Sequence, residues 1–64
     1  MGLEEFKSIV MYYHPNIYKD IKNKTVYDGT QHLCRVLGIK PVNDDDAVDK
    51  DLDRIAEQVI KAGE

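Results

Sequence analysis

The spacing of six apolar residues toward the end of the chain constrains its fold more than any other feature. Val48, Leu52, Ile55, Ala56, Val59 and Ile60 fall at i, i+4, i+7, i+8, i+11 and i+12, the recurrence of one face of a helix. The residues ahead of this stripe agree with it. Asn43 or Asp44 can cap free N–H groups, and the acids at 44–46 sit where the positive end of a helix dipole favours them. Gly63 suits a terminator. The reading is an amphipathic helix over 44–62.

A second stripe, Leu3, Phe6, Ile9, Val10 and Tyr13, turns Glu4, Glu5, Lys7 and Ser8 outward. Pro15 disfavours helical geometry at His14, so the first helix is expected over 3–14. A third stripe, Val26, Leu33, Val36 and Leu37, stops at Gly38, with Ile39 placed for the apolar contact of a Schellman stop and Pro41 preventing resumption. Its N-cap is Thr25 or Asp28, the second choice putting Gln31 at the capping-box position. Residues 16–23 read two ways. Asn16 as N-cap with Ile17, Tyr18 and Ile21 inward makes a short helix, whereas Ile17, Lys19 and Ile21 in alternation suit a strand pairing with Thr25-Val26-Tyr27. The helix is preferred because a lone hairpin is marginal without cover.

The expected fold is therefore all-α: one small domain over 1–64, a bundle of helices at 3–14, 16–23, 26–37 and 44–62. The alternative is an α+β arrangement with a hairpin around 17–27. A chain of 64 residues leaves no room for two lobes and a cleft between them. Cores of this size rarely supply more than roughly 3–5 kcal/mol, so small proteins commonly add a disulfide, a metal or a partner. The single cysteine, Cys34, forms no internal bridge and fits a reducing, cytoplasmic setting. No apolar run is long enough to cross a membrane, and the acidic start, Met1-Gly2-Leu3-Glu4-Glu5, is unlike a secretory signal. Gly2 does not open a myristoylation motif, because Phe6 stands where Ser or Thr is needed.

Charge is segregated along the chain. Residues 1–42 carry six basic and four acidic side chains for a net of +2, while residues 43–64 carry three and eight for a net of -5. Gln31 through Lys40 resembles the first helix and turn of a helix-turn-helix, with Gly38 in the turn. The helix that follows opens with Asp44, Asp45, Asp46 and Asp49, which repel phosphate. These acids do not form an EF-hand loop either, since the sixth and twelfth residues from Asp49 are Arg54 and Ile60. Asp45, Asp49 and Asp53 instead share a helical stripe suited to electrostatic steering.

Soft metal ligands are few: His14, His32 and Cys34. His32 and Cys34 project roughly 200° apart on a helix, so they neither chelate together nor form a nucleophile and base pair. Cys34 beside Leu33 and Leu37 reads as a small core residue, and His14 as a cation at a helix C-terminus. No phosphate loop, catalytic triplet or paired carboxylate appears. No metal, cofactor or enzymatic activity is expected.

The tyrosines stand out, since Tyr12, Tyr13, Tyr18 and Tyr27 all fall in the first half with Lys19, Lys22 and Lys24. Such residues, apolar in the ring and polar at the tip, are typical of protein interfaces. The leading expectation is a small non-enzymatic regulator that binds another protein, or a second copy of itself as a homodimer. Its contacts would be Tyr12, Tyr18 and Tyr27, steered by Asp45, Asp49 and Asp53. The alternative is a nucleic-acid-binding regulator working through Lys19, Lys22, Lys24 and Arg35.

Overall fold

Proline and aspartate side chains set the helix boundaries. The computed structural model describes all residues, Met1 to Glu64, and contains α1 (Leu3–Tyr13), α2 (Pro15–Ile21), α3 (Val26–Leu37), a 3-10 turn (Asp45–Ala47) and α4 (Val48–Gly63). The protein is an all-α bundle of four helices with no strand. The hairpin alternative at 17–27 is not realised, because Ile17, Lys19 and Ile21 lie within α2, and Val26 and Tyr27 open α3.

Pro15 explains the first break. His14 leaves the helical region at φ -139°, ψ 64°, so α1 ends at Tyr13, one residue short of the expected limit. Proline then occupies the first position of α2, where its missing N–H is no loss and its φ is already helical. Asn16 is therefore inside α2 rather than its cap, and the helix stops at Ile21, not at 23. Thr25 caps α3 by accepting the Asp28 N–H at 3.1 Å, so Asp28 is not the cap. Gly38 closes α3 in the left-handed conformation at φ 72°, and the Ile39 N–H reaches back to the Cys34 carbonyl at 2.8 Å, the long bond of a Schellman motif.

The expected single helix over 44–62 is divided. Asp44 accepts the Ala47 N–H on its side chain at 2.9 Å, and its carbonyl takes the same N–H at 3.1 Å. That tight closure shapes a 3-10 turn, and α4 begins only at Val48. Asp45 thus stands on the turn, whereas Asp49 and Asp53 stand on α4, and the three do not form one α-helical stripe.

Met1 lies beside Asp53 and Tyr13 beside Gly63, so α1 and α4 run parallel. Helix α2 doubles back along α1, bringing Ile21 and Lys22 to the cleft that Leu3 and Phe6 line. The core gathers Phe6 and Val10 from α1, Leu33 and Cys34 from α3, Val42 from the connecting loop, and Val48, Leu52, Ile55, Ala56 and Val59 from α4. Leu33, Ile55 and Val59 are wholly excluded from solvent. Val26 and Val36 depart from the expected stripe, with 38% and 53% of their surface exposed. Helix α3 buries Gly29, Thr30, Leu33 and Cys34 instead, which turns Val26 and Val36 to its flanks. The radius of gyration, 10.2 Å, is close to the roughly 10.7 Å expected of a single folded chain this long.

Candidate binding cleft

The short connection between α2 and α3 places two lysines beside an apolar groove. The Lys22 N–H bonds the Tyr18 carbonyl at 2.9 Å and the Lys24 N–H bonds the Ile21 carbonyl at 3.0 Å, winding the chain tightly before Thr25 starts α3. Across from them, α1 contributes Leu3, Phe6, Lys7 and Val10. Tyr18, Ile21 and Lys22 form the α2 wall, and Thr25, Val26, Gly29 and Thr30 the α3 side. The resulting cleft is shallow and encloses about 70 Å³. Its lining contains no histidine, cysteine or carboxylate.

Electrostatically the cleft is one-sided. Lys22 and Lys24 have no ion-pair partner, and Lys7 has only a 4.0 Å contact with the exposed Glu4 carboxylate. Three lysines therefore line the cleft together with an apolar floor in which Phe6 and Val10 are buried and Tyr18 and Ile21 half-buried. Such a surface can seat an apolar side chain and hold an anionic group beside it.

The residues singled out from the sequence distribute unevenly around this cleft. Tyr18, Lys22 and Lys24 meet in it, and Lys19 is exposed on the same short helix. Tyr12 is away from the cleft lining, 79% exposed, with its ring edge-on to Tyr13 at 4.9 Å between centroids. Tyr27 is half-buried, its hydroxyl accepting from Gln31 Nε2 at 3.1 Å. Arg35 is exposed on α3 beside Gln31, Ile39 and Pro41. Asp45 and Asp49 are exposed, and Asp53 lies 3.2 Å from the Met1 amine. The helix-turn-helix resemblance stops at Gly38, because the next α-helix begins only at Val48 and not after a turn of three or four residues.

Lys7, Leu3 and Val26 belong to the cleft although no local pattern marks them as site residues. Lys7 reads as an outward residue, and only the return of α2 along α1 shows that its flank is a wall. Gln31 was legible only as a capping candidate. It donates to the Val42 carbonyl and accepts the Val42 N–H, both at 3.1 Å, and so fastens the 38–44 loop to α3. Arg54 secures the same loop from α4, donating to the Lys40 carbonyl at 2.9 Å and reaching Asp51 at 3.3 Å.

The remaining reactive groups are structural. Cys34 is buried and unpaired, and burial pushes its thiol above the ordinary value of 9.0; nearby Arg54 opposes that rise and Asp51 adds to it. A raised thiol is a poor nucleophile near neutral pH. His14 Nε2 lies 3.0 Å from the Val59 carbonyl and, as the donor, ties the α1 to α2 joint to α4. No three His, Cys, Asp or Glu side chains converge on a common point, and no helix is long and apolar enough to cross a membrane. Comparison with protein-family models, curated proteins and solved structures returned no match for this chain.

Proposed function

We propose that this protein is a small non-enzymatic binding module that acts on another protein through the cleft between α1, α2 and α3. The observation that carries the reading is the pairing of an apolar floor with three lysines, two of which have no acidic partner in the chain. Apolar burial supplies affinity at such sites, and the charged rim sets partner choice and association rate. Tyr18 is the interface tyrosine of this reading. The exposed Tyr12 extends it as a second contact, while Asp45, Asp49 and Asp53 supply steering at a distance.

The same lysines, with Lys19 on α2, keep a nucleic-acid reading in play, whereas Arg35 stands apart in the last turn of α3. The apolar floor favours a protein, because phosphates and sugars gain nothing from burial against Phe6 and Ile21. Two measurements separate the readings. Tagged wild-type protein should retain a defined set of cellular proteins that the Lys22→Glu/Lys24→Glu variant loses and the Asp49→Lys/Asp53→Lys variant keeps. Labelled single-stranded DNA and RNA should show no salt-dependent binding by anisotropy at low ionic strength. Tight, salt-sensitive oligonucleotide binding with no cleft-dependent protein retention would replace this proposal with the second reading.

A further inference from the structure

We infer that the cleft receives an amphipathic segment of a partner protein that places an apolar side chain against the floor and carboxylates beside it. This rests on the reading of the cleft as a protein-docking surface and adds the chemistry of what docks. The lining supplies three cations and no anion, so an incoming apolar side chain brings no neutralising charge unless its own neighbours carry it. Carboxylates one helical turn before or after that side chain would reach Lys7 on the α1 side and Lys22 and Lys24 on the other.

The chain itself offers no equivalent segment, which argues against a second copy as the occupant. Met11 and Tyr12 are exposed apolar residues, but no acidic residue occurs between Phe6 and Lys19. Val36 is exposed in a stretch from Gly29 to Asn43 that also lacks an acid. Conversely, the exposed face of α4 presents Asp49, Lys50, Asp53 and Glu57, with no large apolar side chain among them to enter a groove. Met1 has carboxylates nearby, yet its amine already engages Asp53. Apolar and acidic features adjoin only at Met1, whose amine is held by Asp53, and at Val26, which precedes Asp28 and lines the cleft itself, so the segment that enters the cleft comes from another protein.

The test uses the isotope-labelled full chain and two synthetic helical peptides with leucines at the same spacing, one with flanking glutamates and one with flanking lysines. The acidic peptide should move the amide signals of Phe6, Lys7, Tyr18, Ile21, Lys22 and Val26, and bind at least about tenfold more tightly than the basic one. Its affinity should fall as salt is raised past about 0.1 M. Lys22→Glu/Lys24→Glu should abolish the preference and the neutral pair Lys22→Gln/Lys24→Gln should weaken it, with unchanged helical content by circular dichroism. Equal affinity for both peptides at the cleft would overturn the acidic-partner inference and leave the docking reading intact. A silent cleft, with the shifts gathered at Met11 and Tyr12 or along α4, would overturn both. Failure of both peptides, with an oligonucleotide moving Lys19, Lys22 and Lys24, would likewise overturn both in favour of nucleic acid.

Discussion

Gln31 and Cys34 show how much of this molecule depends on single side chains that the sequence presents without emphasis. Gln31 uses its amide to imitate a strand neighbour for Val42, pairing with both the N–H and the carbonyl of one loop residue. Val42 is 3% exposed and belongs to the core, so the two bonds also fix an apolar contact. Gln31→Ala removes these two bonds and the one to the Tyr27 hydroxyl, and should cost about 3 kcal/mol in urea unfolding, at about 1 kcal/mol per bond. Gln31→Glu should cost no less, because it sets a carboxylate against the Val42 carbonyl. Cys34 makes a pH-dependent contribution. Its folded pKa is raised, so the unfolded chain loses the thiol proton first, and the stabilisation, complete below the ordinary value of 9.0, disappears as pH rises through the folded value. Stability measured at about pH 7 and about pH 10 should therefore fall more in the wild type than in Cys34→Ala, with a neutral-pH cavity cost in the variant. An equal fall in both would remove Cys34 from the account.

At the scale of elements, two glycines in helices predict opposite outcomes. A methyl group at Gly29 would sit 3.5 Å from Ile21 Cβ, ordinary contact, so Gly29→Ala should stabilise by about 0.5–1 kcal/mol through helix propensity. A methyl group at Gly63 would fall 2.8 Å from Tyr13 Cδ1 and 2.9 Å from Tyr13 Cβ. The end of α4 lies that close to α1, so Gly63→Ala should destabilise by about 1 kcal/mol as Tyr13 is displaced. Thermal or urea unfolding of the two variants checks both signs. The contrast also shows what was legible. Gly63 reads as a helix stop, and nothing in its local sequence announces a partner fifty positions away. Thr25, Gly38 and Pro15 act through their own backbone neighbourhood, so the helix limits they set could be read closely. Local chemistry missed the 3-10 turn, because a capping aspartate at 44 suits a tight turn as well as an α-helix. It also misassigned Val36, whose exposure depends on where α4 crosses α3. The cleft was less legible than the helices: Tyr18, Lys22 and Lys24 were singled out on separate grounds, and the fold alone joined them to Lys7.

On the scale of the whole molecule, the core closes within one chain. Leu33, Ile55 and Val59 reach complete burial without a second copy, so sedimentation should report a monomer at micromolar concentration. A dimer dissociated by Tyr18→Ala or Lys22→Glu would mean that copies of this chain occupy the cleft. Lys22 and Lys24 stand at the cleft without an ion-pair partner, and exposed carboxylates run along the 3-10 turn and α4. Those carboxylates repel an acidic docking segment and so turn it toward the lysines, and Asp45→Lys/Asp49→Lys/Asp53→Lys should therefore raise the partner's association rate while dissociation stays nearly constant. The central claim is that the α1, α2 and α3 cleft is the face that meets another protein. Photo-cross-linking tests it most directly, with a benzoylphenylalanine placed at Thr25 on the cleft side or at Lys50 on α4, each expressed in its native cell. A discrete protein adduct is expected from position 25, lost when Lys22→Glu/Lys24→Glu is added, and none from position 50. Adducts from position 50 with none from position 25 would contradict it.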